Sequence, residues 1–233
     1  MVSKPTRVLV IRHGEAQGNL ERTFQGHTDA PISENGRKQL ELLSVRCRNM
    51  SIDAIYTSPL IRAQETAEAV NQFHKVPIRV REDLMEIHGG VWEGEKWAEL
   101  PDRFPQEALA WSLQPHTFAP RGGEPMRRVY ERMRCAVLGI AEEHLGGQVC
   151  VVSHGCAIRN LLCWAMGYPI ERLQQVDWCD NTGLTLLELD GQLRPRVLYA
   201  NDASHLDEET STFSKQAWWR PENRDKLCFK EEV

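Results

Sequence analysis

Two kinds of apolar pattern alternate along this chain. The first is the short unbroken run, of which Val8-Leu9-Val10-Ile11 is the clearest. It has no in–out alternation, so both faces are expected to be buried, as in a parallel sheet covered by helices on both sides. Strands are predicted at 7–12, 52–57, 78–82, 148–153, 183–189 and 194–200. The second pattern recurs at helical spacing. In 60–74, Ala63, Thr66, Ala67, Val70 and Phe73 fall on one face. In 124–144, Met126, Val129, Tyr130, Met133, Val137 and Ile140 do the same, with Pro125 at the start and Gly146-Gly147 after the end, where each residue type favours a helix boundary. Helices are also expected at 35–49 and 155–167. Strands alternating with helices predict an α/β domain with helices on both faces of a mainly parallel sheet. Residues 87–125 break the rhythm with Trp92, Trp97, Trp111, Pro101, Pro105, Pro115 and Pro120, and read as an insertion over the strand ends.

Those strand ends carry the chemistry. The first run stops at Arg12-His13-Gly14, where Gly14 is expected to let the backbone turn sharply or approach a ligand. The 52–57 strand ends in Thr57-Ser58-Pro59, with Arg62 one helical turn on. Glu86 follows the 78–82 strand, and 148–153 ends in Ser153-His154-Gly155. In an open parallel sheet, ligands bind beyond the carboxyl ends of the strands. Two arginines offer forked donors suited to phosphate oxygens, and Asn19 adds a neutral one. A helix beginning at Gly155 is expected to add free backbone amides and a positive dipole end. The set describes an anion pocket, to which two histidines and a carboxylate add reactivity.

Composition narrows the setting. The formal charge is −5 over 233 residues and the isoelectric point is about 5.9, which argues against a nucleic-acid partner. An anion must therefore be held by a local pocket rather than by the overall field. A mean hydropathy of −0.47 and the lack of a long apolar run argue against a membrane span. MVSKPTRVLV lacks the pattern of a secretory signal. Seven cysteines without a C-x-x-C pair fit reduced, mostly buried thiols and a cytoplasmic setting. No metal is expected, because a site from His154 and Cys156 lacks the usual ligand spacings.

Taken together these segments resemble the histidine phosphatase superfamily, which includes the cofactor-dependent phosphoglycerate mutases. RHGEAQGN matches the signature at Arg12, His13, Gly14, Glu15 and Asn19. FQGHTDAPISENGRKQ, YTSPLIRAQETA, LMEIHGGVWEG, VVSHGCAIR and NDASHL match the segments that follow. The likeness covers about 6–206. It implies a three-layer α/β/α sandwich with a mixed sheet, one domain over 1–206 with a lid at about 87–125, and an extension at 207–233. His13 would carry the phosphoryl group as phosphohistidine. Arg12, Asn19, Arg62 and His154 would hold the phosphate oxygens. Glu86 would protonate the leaving group and then activate water. Gln25, Gly26 and Gly155 would touch substrate. No cofactor is implied, the partner is a small-molecule phosphate ester, and a homodimer is compatible with the resemblance.

Within that family the branch matters. Mutases typically follow the catalytic Glu with Arg-His-Tyr-Gly and a later Lys, whereas this chain has Ile87-His88-Gly89-Gly90. The W-E-G ending at Trp92-Glu93-Gly94 resembles the phosphatase branch, including broad-specificity and α-ribazole phosphate phosphatases. The expected reaction is metal-independent hydrolysis of a phosphomonoester. The alternatives are a phosphoglycerate mutase and an inactive phosphate-binding module, although no catalytic His or Glu is lost. Gly123-Glu124-Pro125 stands where relatives often have Gly-Glu-Ser. His27 and His88 are expected to orient loops, and His205 to make a structural hydrogen bond. Trp218 and Trp219 are expected to anchor the tail.

Overall fold

The computed structural model describes residues 4–216, so Trp218 and Trp219 lie outside the described residues. The strands are β1 (Thr6–Arg12), β2 (Ala54–Thr57), β3 (Ile78–Val80), β4 (Gln148–Ser153), β5 (Leu184–Leu189) and β6 (Pro195–Asp202). The α-helices are α1 (Gln17–Leu20), α2 (Glu34–Cys47), α3 (Ile61–Asn71), α4 (Leu100–Arg103), α5 (Pro105–Leu113), α6 (Met126–Glu143) and α7 (Gly155–Ala165). They form one sheet in the order β3-β2-β4-β1-β5-β6. The first four neighbours are parallel, whereas β5 and β6 are antiparallel.

The sheet separates two cores, which explains the unbroken apolar runs. Val8, Val10, Ala54, Tyr56, Val149 and Val151 face α6, α7 and the lid. Leu9, Ile11, Ile55, Cys150 and Val152 face α2 and α3. With both faces covered, no strand position in the centre has water to face. The stripe expected on 60–74 holds through Val70. The helix stops at Asn71, however, and Phe73 is 52% exposed rather than part of the core. The insertion at 87–125 contains α4, α5 and three single-turn 3-10 helices. Its Trp92 and Phe118 are buried, with Trp97 and Trp111 packed around them. Residues 210–213 fold back against the body, with Thr210, Thr212 and Phe213 buried.

This topology positions the site. β3, β2, β4 and β1 are parallel neighbours, so their carboxyl ends share one edge, next to the switch to antiparallel β5. Arg12 and His13, Ser58 and Arg62, Glu86, and Ser153 and His154 follow from those four ends.

Candidate active site

His13 is 3% exposed and His154 is fully buried, with ring centroids 5.1 Å apart. His13 Nδ1 lies 2.7 Å from Gly14 O. A carbonyl can only accept, so Nδ1 carries the proton and Nε2 keeps its lone pair. Burial first, then Arg62 and Arg12, lowers the His13 pKa well below 6.5. Burial, Arg62 and His13 do the same for His154. Both rings are thus neutral near pH 7. His154 Nε2 is 2.8 Å from Ser58 Oγ, which accepts from Leu60 N and has its own hydrogen to give to Nε2, leaving the His154 proton on Nδ1.

Two buried guanidiniums flank the histidines. Arg12 Nη1 donates to Cys179 O at 2.6 Å. Arg62 donates to Thr28 O and Gly26 O at 2.8 and 2.7 Å. Burial lowers the Arg12 pKa and takes that of Arg62 to about 10, so Arg62 remains cationic at neutral pH. Arg12 Nε, Arg62 Nε and His154 Nδ1 are buried without a protein partner. Unsatisfied buried donors are costly, and here they converge beside a neutral histidine, an arrangement complementary to an anion. Gly155 lets α7 approach, since a Cβ there would stand 3.3 Å from Arg12 Cζ and Nε.

Glu86 takes the helix amides that were expected to face an anion. Its carboxylate accepts from Ile87 N, Cys156 N and Ala157 N, each at 2.9 Å. The first-turn amides of α7 at Cys156 and Ala157 are therefore taken by Glu86 and are not free for an anion. The same contacts hold Glu86 against the strand end that bears His154. Gly26, at φ +44°, turns the loop so that its carbonyl meets Arg62. Asn19 accepts from Ala16 N and caps α1, while Gln25 packs against Gly18. Asn19 thus stays within α1, and Gln25 stays on the loop that follows it. Gly14 has no positive φ. Its bare Cα is explained by α2, because a Cβ would come 3.0 Å from Leu40.

Sequence reasoning missed the support behind these groups. Asn181 Nδ2 donates to His13 O at 2.9 Å, and Thr182 N donates to Arg12 O at 3.1 Å. Thr182 sits at φ +58°, a costly conformation for a β-branched residue. His205 Nε2 lies 3.0 Å from its hydroxyl, a structural contact as expected. The polar turn Asn181-Thr182-Gly183 was the available signal. His27 Nε2 donates to Glu86 O at 2.9 Å, so it does orient a loop. Among the described residues no group of three or more His, Cys, Asp or Glu could hold a metal ion, and no helix is long and apolar enough to cross a membrane.

A family model for the histidine phosphatase superfamily (branch 1) matches residues 8–203. The chain belongs to the histidine phosphatase superfamily. It is 28% identical to phosphoserine phosphatase 1 of Hydrogenobacter thermophilus over 202 residues, covering 87% of this chain and 95% of that one. It is 32% identical to the probable phosphoglycerate mutase GpmB of Klebsiella pneumoniae over 213 residues, covering 86% and 95%. The structure of Bacillus stearothermophilus YhfR superposes with a TM-score of 0.83 at 35% identity, covering 87% of this chain and all of that one. Within the histidine phosphatase superfamily this chain is an enzyme of the phosphatase class.

Proposed function

We propose that the enzyme hydrolyses the phosphomonoester of a small phosphorylated metabolite through a phosphohistidine on His13, without a metal ion. The observation that carries this reading is the neutral, buried His13, with its free Nε2, among unpartnered donors of Arg12, Arg62 and His154. His13 Nε2 attacks phosphorus as the ester P–O bond breaks. The arginines and His154 stabilise the charge on the non-bridging oxygens. Glu86 gives its proton to the departing alkoxide. Water then attacks phosphorus, Glu86 takes a proton from it, the P–N bond breaks and inorganic phosphate leaves. Asn19 adds a donor at the mouth, while Gln25, Gly26 and Gly155 border the substrate. Quenched turnover of a labelled substrate is expected to give an acid-labile, base-stable phosphoenzyme that is absent in His13→Ala. Label on serine or cysteine would overturn the mechanism.

Likeness to a probable mutase favours a second reading, phosphoryl transfer between positions of a phosphoglycerate. Two positions oppose it. Ile87 is fully buried in the core, and a Cβ at Gly89 would stand 2.3 Å from Phe24 Cε1. The Arg and Tyr typical of mutases have no room at either place. Incubation with 3-phosphoglycerate and its bisphosphate is expected to release phosphate. Efficient conversion to 2-phosphoglycerate would favour the transfer reading.

A further inference from the structure

Arg132, on α6, lies outside the residues discussed so far, yet every one of its donors is used. Nε donates to Glu124 Oε1 at 2.8 Å and Nη2 to Glu124 Oε2 at 2.9 Å. Nη1 donates to Asp83 O and Met85 O at 3.1 and 2.7 Å, and Nη2 to Glu86 O at 3.0 Å. A guanidinium has five N–H groups, so this one is saturated. The Arg132 and Glu124 side chains are only 16% and 11% exposed. The carbonyls they gather belong to the turn that ends at Glu86. Glu86 O is gripped a second time by His27 Nε2, and Glu124 N donates to His88 O at 2.8 Å, just past Glu86. The Gly-Glu-Pro departure leaves this contact intact: Pro125 caps α6, and Glu124 reaches Arg132 across its first turns.

We propose that Arg132 and Glu124 are positioning residues that hold Glu86 at the angle required for proton transfer to the leaving group. The inference rests on the general-acid role assigned to Glu86 above. A fork across three carbonyls and a carboxylate fixes a peptide in both rotation and distance. Lysine, with three donors at one point, cannot span that set. Because the clamp holds the main chain of Glu86 and its side chain binds α7 separately, loosening it misdirects the carboxyl group and leaves the phosphate pocket in place.

The test uses leaving-group dependence, which a merely structural role would not move. Single-turnover phosphorylation is measured with p-nitrophenyl phosphate and with glycerol phosphate, for wild type, E86Q, R132K and the double variant. Nitrophenolate departs without a proton; an alkoxide does not. R132K is expected to slow glycerol phosphate by roughly 10–100-fold, within the range of general acid catalysis, and p-nitrophenyl phosphate by less than about 3-fold. In the E86Q background the same change is expected to cost less than about 2-fold, because residues acting as a unit are not additive. E124Q, which breaks one branch of the fork and keeps the cation, is expected to show the same selectivity, and it carries the test if R132K does not fold. Equal slowing of both substrates, or a loss by R132K that multiplies that of E86Q, would overturn the clamp. If E86Q itself fails to discriminate between the substrates, the acid assignment falls instead, and the two failures are distinguishable.

Discussion

Two neutral histidines buried side by side make folding stability depend on acid. His13 and His154 are at most 3% exposed, and burial and the arginines depress both pKa values well below 6.5. In the unfolded chain each titrates near 6.5. The folded pKa is the depressed one, so the contribution is fully present above pH 6.5. It is lost as pH falls from 6.5 toward the folded value, where the unfolded chain binds protons that the folded protein refuses. A histidine that stays neutral in the folded protein over the whole interval costs at most about 1.4 kcal/mol between pH 7.5 and 5.5, or about 2.7 kcal/mol for two. The assay is urea denaturation at pH 7.5, 6.5 and 5.5 for wild type, His13→Asn and His154→Asn. Each variant is expected to lose less stability than wild type over that interval, by up to about 1.4 kcal/mol, whatever its stability at pH 7.5. His27 and His205 are also lowered, mainly by burial, but they are common to all three proteins and cancel. A variant that loses as much as wild type would mean that the ring is charged in the folded state, which would remove the basis for His13 as a nucleophile at neutral pH.

Three further outcomes test separate contacts. Gly89→Ala brings a Cβ within 2.3 Å of Phe24 Cε1 and is expected to cost about 1–3 kcal/mol, the usual range for overpacking; an unchanged thermal midpoint would refute the close packing. Gly155→Ala presses on Arg12, whose Nη1 is already fixed to Cys179 O. It is expected to weaken vanadate binding by about 10-fold, or about 1.4 kcal/mol, and unchanged affinity would refute Arg12 as an anion ligand. Exhaustive chelation is expected to leave turnover unchanged, whereas activity lost and then restored by Mg²⁺ or Zn²⁺ would refute the metal-free mechanism.

What could be read from the sequence was what side-chain type encodes. Val8–Ile11, with no alternation, announced a strand covered on both faces, and the two cores on either side of it are the physical reason. The four reactive strand ends could be grouped because parallel neighbours must finish on one edge. That the sheet is mixed came only through the family resemblance, and that β5 and β6 are the antiparallel strands came only from the structure, since an apolar run does not encode its polarity. Phe73 was misread because apolar spacing continued past the helix end at Asn71. The supports of Arg12 at Cys179 O, of His13 at Asn181, and of Glu86 at Arg132 involve backbone carbonyls, which every residue possesses, so no residue-type pattern marks them. The amides of α7 were misassigned for a related reason: a helix N-terminus advertises donors without saying which acceptor takes them.

The two buried arginines also illustrate how an acidic protein can keep a pocket for an anion. Burying a guanidinium is expensive unless it is paired, but a carboxylate in direct contact would occupy the fork that the ligand needs. Here the grip comes from the neutral carbonyls of Cys179, Thr28 and Gly26, and the compensating charges stand further back. Asp180 and Glu15 both favour the charged form of Arg12. Each needs its own donors to remain buried. Asp180 takes Asn181 N, Ser211 Oγ and Phe213 N. Glu15 takes Ser33 Oγ, Asn35 Nδ2 and Thr212 Oγ1. Ser211, Thr212 and Phe213 lie beyond residue 203, where the family match stops. This short return of the chain thus satisfies the acids, the acids balance Arg12, and Arg12 keeps its Nε unpartnered beside His13. Negative charge held one layer behind positive charge is what the proposed phosphate pocket needs to oppose the net charge of −5 locally.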